Sequence, residues 1–142
     1  MNFALDPRIV ADTPPIGDMT LSRLLLMNDA RYPWLLLVPR REALRELIDL
    51  DAPARLALIE EIASASAFVR ALPGVEKLNV AALGNVVTQL HIHVLGRTVG
   101  DPAWPGPAWG VGKARRYEHG EAEALIAQVR AAIIPSPLAG EG

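Results

Sequence analysis

Between Gln89 and Val94 the chain alternates polar and apolar residues, Gln-Leu-His-Ile-His-Val, and then runs on through Leu95-Gly96-Arg97. A period of two marks a strand with unlike faces, because successive side chains of extended backbone point to opposite sides. Leu90, Ile92 and Val94 share one face. Gln89, His91, His93 and Leu95 share the other, where the two imidazoles become neighbours roughly 6–7 Å apart. Just upstream, Gly84-Asn85 predicts a tight turn that brings backbone close to whatever the imidazoles face. Three chemistries compete for such a pair: two solvated histidines on a strand, a metal site, or nucleophilic catalysis by an imidazole.

The rest of the sequence narrows that choice. A chain of 142 residues reads as one domain with room for a real core. Its net charge of −2 gives no electrostatic footprint for nucleic acid, although a local arginine cluster would still suit a small anion. With no cysteine, disulfides, thiolate catalysis and thiolate zinc sites are excluded. The opening Met1-Asn2-Phe3-Ala4-Leu5-Asp6 lacks the basic segment and apolar run of a signal peptide. The longest apolar runs, Leu24–Met27 and Trp34–Val38, are far too short to span a bilayer. A cytoplasmic protein with no membrane partner is the expectation.

In chain order, residues 3–19 read as irregular, with turn formers through Asp12-Thr13-Pro14-Pro15-Ile16-Gly17-Asp18. A strand over Leu21–Met27 and a returning strand over Trp34–Val38 predict an antiparallel hairpin, apolar enough to be central and covered on both sides. Arg40-Arg41 reads as a solvated basic turn, and residues 43–49 as a short helix. A long helix follows, capped by Asp51 and tolerant of Pro53 in its first turn. Its apolar stripe runs through Ala54, Leu58, Ile59, Ile62, Ala65, Val69 and Leu72. Ala63, Ala65 and Ala67 would keep it slim against a sheet, and Pro73-Gly74 stops it. Lys77–Ala82 and Val86–Leu95 predict a second hairpin, with the helix over Leu90, Ile92 and Val94 and the histidines looking out from the opposite face.

Residues 98–112 are too rich in proline and glycine for a helix or an inner strand. Their two tryptophans, Trp104 and Trp109, either seal a sheet edge or dimer contact or line a pocket. Lys113-Ala114-Arg115-Arg116 is basic and loop-like. A last helix is expected over 121–134, with Glu121 and Glu123 in its first turn, then a frayed tail over 135–142. His119 reads as exposed.

The run Gly84-Asn85-Val86-Val87-Thr88-Gln89-Leu90-His91-Ile92-His93-Val94-Leu95-Gly96-Arg97 resembles the signature of the histidine triad (HIT) family of nucleotide hydrolases and nucleotidyltransferases. There, three histidines alternate with apolar residues on a strand. The order of apolar hairpin, long helix, second hairpin and Trp-Pro segment (here Trp104-Pro105) agrees over roughly residues 20–110. The resemblance implies an α+β, HIT-like fold over 1–134: an antiparallel sheet of about five strands, one long helix and a C-terminal helix. It also implies a homodimer, with the apolar hairpin and the alanine-rich helix as candidate contacts.

Carried over residue by residue, His91 matches the family's nucleophile, which attacks the α-phosphorus and forms a nucleotidyl-imidazole. His93 matches the last histidine, which contacts phosphoryl oxygens and the leaving group. Gln89 stands in place of the first triad histidine. Asn85 falls where a glutamine lies near the phosphates, beside Gly84. Asn28 falls near an asparagine or aspartate that holds ribose. Trp104 belongs to the segment that could line the pocket. Trp34 stands near a further family histidine, and Val86 where many members carry a hydroxyl.

The implied reaction is cleavage of a nucleoside phosphoramidate or a dinucleoside polyphosphate, with a purine nucleotide as the expected partner. The alternative is a nucleotide-binding or regulatory module with little turnover. In this scheme a rigid strand aims the His91 lone pair, a backbone carbonyl holds the other ring proton, amides around Gly84-Asn85 meet the developing charge, and a protonated His93 adds a charge-assisted hydrogen bond. No metal or other cofactor is called for, because no acidic cluster accompanies the histidines: Glu76 and Asp101, the nearest in sequence, fall at no recognisable spacing.

Overall fold

The computed structural model describes residues 3–134. Its centre is a five-stranded antiparallel sheet in the order β1-β2-β3-β5-β4, formed by β1 (Pro15–Asp18), β2 (Ser22–Leu26), β3 (Trp34–Pro39), β4 (Lys77–Ala81) and β5 (Ile92–Arg97). Three α-helices accompany it among the described residues, α1 (Pro7–Asp12), α2 (Ala52–Arg70) and α3 (Glu121–Ile133), and the short helix expected over 43–49 is a 3-10 turn at Leu47–Asp49. The tail expected at 135–142 lies outside the described residues.

One face of the sheet is aliphatic. Leu24, Leu26, Leu35, Leu37, Ile92 and Val94 pack there under α2 and α3. Asp51 caps α2, its carboxylate accepting the Ala54 amide at 2.9 Å, as the sequence predicts. The buried stripe of α2 is Ala54, Leu58, Glu61, Ala65 and Val69. Ile59, Ala63 and Ala67 instead face solvent, so the expected stripe is turned slightly and Ala65 alone of the three alanines supplies the slim contact. Glu61 lies inside because its carboxylate accepts the amides of Leu21 (2.6 Å) and Ser22 (3.0 Å), tying the helix to the start of β2. Close approach also needs Gly96: a Cβ there would come within 2.8 Å of Val69 and of Pro33.

The opposite face is covered as well. Ile9, Leu25, Tyr32, Trp34, Leu36, Val38, Leu95 and Ala108 form a second core, with Phe3, Leu5 and Trp109 packed against it. Residues 3–19 are therefore not irregular throughout. Asp6 caps α1 through the Arg8 amide at 2.8 Å, and Pro15 opens an edge strand, where its missing N–H costs no ladder bond. The two strands of the β2–β3 hairpin are buried on both faces, with Arg23 half-buried. Arg40 is not a solvated turn residue either: its guanidinium donates to the carbonyls of Met19 (2.7 Å) and Thr20 (2.9 Å).

The second hairpin is shorter than expected. Its last ladder pair is Ala81 with His93, and the strand begins at Ile92 rather than at Val86. Between them the chain leaves β4, and the Leu90 amide bonds the Leu44 carbonyl at 3.0 Å. Val86 is 75% exposed, which no inner-strand residue would be.

Candidate active site

His91 and His93 do lie on the face opposite α2, but they are not open to solvent. The arm of residues 3–12 and the loop after β5 leave them 9% and 5% exposed. Their ring centroids are 4.9 Å apart. Register explains their neighbours. His93 pairs with Leu36 across β3 and with Ala81 across β4, so side chains of that face, Trp34 among them, crowd the same space.

The two rings are held differently. His91 Nδ1 lies 2.7 Å from the Gln89 carbonyl oxygen. An oxygen there can only accept, so Nδ1 carries the proton and Nε2 keeps its lone pair. His93 Nδ1 lies 3.0 Å from the Trp34 indole Nε1. An indole N–H can only donate, so this Nδ1 is the lone-pair nitrogen and the proton sits on Nε2. Burial, together with neighbouring His91, lowers the His93 pKa to about 4. His93 is therefore a neutral donor at physiological pH, which corrects the protonated His93 of the sequence-based scheme. The burial is by aromatic rings: Trp34 packs at 5.7 Å and Trp109 edge-on at 5.4 Å, centroid to centroid.

Gln89 acts at two places. Its carbonyl orients His91. Its side-chain amide turns to the N-terminal arm, accepting the Asp6 amide at 2.8 Å and donating to the Ala4 carbonyl at 2.8 Å. Gly84 and His91 border one cleft of about 260 Å³, with Arg45, Glu46 and Leu83 around it. Asn85 follows, exposed. A second cleft of about 270 Å³ is bordered by Asn28, Arg31, Trp34 and Trp109. There the Asn28 side-chain oxygen accepts the Tyr117 amide at 2.9 Å. The first cleft is bordered by the His91 ring itself, whereas the second meets His93 only through Trp34 and Trp109, which line it and pack on that ring.

Trp104 stands apart from the rings and packs on Arg97, whose guanidinium lies 5.7 Å from its centroid. Of the two loop tryptophans, Trp109 is the one that meets His93. Arg97, 2% exposed, makes a two-point ion pair with Asp101 at 2.7 and 2.9 Å and donates to Asn79 at 2.9 Å. Asp101 also accepts the amides of Thr98, Ala103 and Trp104, and the Arg97 guanidinium helps hold its pKa at about 2. This pair shapes the loop that delivers Trp109. Sequence reasoning missed it, although an arginine at a strand end four residues before an aspartate in a Pro-rich loop was an available signal. Among the described residues, no three His, Cys, Asp or Glu side chains gather as a metal site. His119 is exposed.

A family model described as the HIT domain matches residues 9–100. The chain belongs to the histidine triad family. Solved HIT proteins agree over nearly their whole length. A histidine triad protein of Bradyrhizobium japonicum is 44% identical with a TM-score of 0.89, over 92% of this chain and 98% of that one. One of Sinorhizobium meliloti 1021 is 42% identical with a TM-score of 0.89, over 92% and 97%. One of Marinobacter aquaeolei VT8 is 40% identical with a TM-score of 0.89, over 92% and 96%. No curated protein matches the chain. No helix among the described residues is long and apolar enough to cross a membrane.

Proposed function

We propose that this HIT protein is a nucleotide hydrolase or nucleotidyltransferase. It cleaves a nucleoside phosphoramidate or dinucleoside polyphosphate at the α-phosphate, through a covalent nucleotidyl group on His91. The observation that carries the reading is the bond from His91 Nδ1–H to the Gln89 carbonyl. It fixes the tautomer in which Nε2 is a free nucleophile, on a ring that borders a cleft. His91 Nε2 attacks phosphorus and the leaving group departs with its electron pair. Water then attacks the same phosphorus and releases the nucleotide and the imidazole. His93 Nε2–H is a hydrogen-bond donor for phosphoryl oxygen, joined by backbone amides near Gly84 and by Asn85. Asn28 holds the ribose in the cleft beside Trp34, and a purine is the base. Gln89 serves through its carbonyl and by holding the arm, with no proton to transfer. The protein works in the cytoplasm without a metal, as a homodimer joined through the open edge of β4, where Val80 is 46% exposed.

One observation favours a second reading, a nucleotide-binding module with little turnover. Neither Gln89, tied to the arm, nor neutral His93 can supply an acid proton. His91→Ala separates the two. Under the enzyme reading the variant loses turnover while nucleotide binding stays within about tenfold, or about 1.4 kcal/mol. Surviving turnover would remove His91 as the nucleophile. Under the metal-free scheme, prolonged chelation leaves the rate unchanged, and lost activity restored by zinc would contradict it.

A further inference from the structure

We infer that Trp34 sets the leaving-group range of this site: by donating its indole N–H to His93 Nδ1, it prevents His93 from relaying a proton, so that turnover is confined to substrates whose leaving group departs as a stable anion. The inference rests on the proposed hydrolase reading and deepens it. It begins from the 3.0 Å bond between Trp34 and His93. Trp34 is 6% exposed, and its indole can give a hydrogen bond but cannot take a proton. His93 can donate Nε2–H, but passing that proton on would leave an imidazolate, unless Nδ1 gained a proton at the same moment. Among the described residues the partner on Nδ1 is an indole N–H, far too weak an acid to give its proton up. The other groups packed on the ring do not help. Trp109 does not titrate, and His91 has its own Nδ1 proton committed to Gln89.

The balance of atoms then divides the substrates. When a P–O–P anhydride breaks, the Nε2–P bond forms and the leaving phosphate keeps the electron pair as a stable anion, with no proton needed. When a P–N bond breaks, the departing nitrogen must gain a proton, because an amide anion is far too basic to leave. Alkyl esters have the same difficulty. Of the two substrate classes proposed, the geometry therefore selects the dinucleoside polyphosphate and disfavours the phosphoramidate.

The test uses the full chain and a graded set of substrates: adenosine 5′-phosphate esters of p-nitrophenol, phenol and an alkyl alcohol, one alkyl phosphoramidate, and one dinucleoside polyphosphate. In the wild type kcat/KM should fall by about 10²–10⁴-fold from the best leaving group to the worst, the factor an acid would have supplied. Trp34→His, which restores a group able to exchange a proton with Nδ1, should flatten that series. A flat series in the wild type, or a phosphoramidate cleaved as fast as the anhydride, overturns the inference. Nitrogen-15 NMR of the histidine side chains reads the lock without any variant. His93 should show a bare Nδ1 and a protonated Nε2 down to pH 5, and Trp34→Phe should shift its tautomer mixture and move its titration upward. A wild-type His93 titrating near pH 6.5 overturns the lock. If even the p-nitrophenyl ester leaves no nucleotide on His91, the hydrolase reading has failed and the leaving-group claim falls with it. The NMR result then still decides whether Trp34 holds His93 as described.

Discussion

The two faces of the sheet are built from different materials. Under α2 and α3 the core is aliphatic, and α2 contributes one buried charge, Glu61, whose carboxylate is fully occupied by two backbone amides. On the other face the aromatic rings of Phe3, Tyr32, Trp34 and Trp109 join the aliphatic side chains, and that face also holds two imidazoles and an arginine–aspartate pair. The first face is made by one helix whose stripe repeats every three or four residues. The second is assembled from a distant arm, a strand and an irregular loop, with hydrogen bonds fixing each piece. The helix face does stability work that any well-shaped aliphatic set would do. The aromatic face fixes proton positions, and its polar bonds are the means.

Substitutions should separate the two. Asp101→Ala leaves the Arg97 guanidinium buried and unpaired and should cost about 3–5 kcal/mol, measured by urea unfolding. It should also release Trp109 and lower turnover in the molecules that remain folded. Replacing both partners with apolar residues should recover most of the stability but not the loop. Leu58→Ala, 2% exposed in the helix face, should cost about 3 kcal/mol and leave the activity of the folded fraction unchanged. If Leu58→Ala changed the leaving-group preference, the two faces would not be independent.

Acid should act through the aromatic face. In the unfolded chain an imidazole takes a proton near pH 6.5, whereas His93 in the fold stays neutral to about pH 4. The unfolded state binds more protons in this window, so stability should fall as pH drops from 6.5 to 4, by about 2–3 kcal/mol in all. Asp101 extends the loss. Its folded pKa of about 2 stabilises the protein above pH 4, and that contribution disappears as pH falls toward 2. His93→Asn should remove the upper part of the acid transition and leave the lower part. The smallest effect expected is that of Gln89→Ala, which frees the arm at a cost of about 1–2 kcal/mol for two hydrogen bonds. Hydrogen exchange should rise at the Asp6 amide first.

The helix face was largely legible in the sequence because its signals are local. Asp51 and Pro53 start α2, Pro73-Gly74 stops it, and the apolar period orients it. Glu61 was not legible, since a glutamate on a helix reads as solvated until the amides of Leu21 and Ser22 are seen beside it. Period two placed His91 and His93 on one face, but it could not show that the face is covered. The cover comes from Phe3, Leu5 and Trp109, up to ninety residues away in sequence. The same alternation overstated β5 toward its start, because the Leu90 amide bonds Leu44 instead of continuing the ladder. At Trp34 the family resemblance pointed to a tryptophan near the place of a further histidine. The structure shows what the substitute does to the ring it touches.

The measurement that tests the central claim most directly is a rapid quench with a nucleotide substrate labelled at the α-phosphate, followed by intact mass and peptide mapping. The account predicts one nucleotidyl adduct, on His91, that forms within a turnover and chases to free nucleotide. Turnover with no adduct, or an adduct mapping to His93, would contradict it.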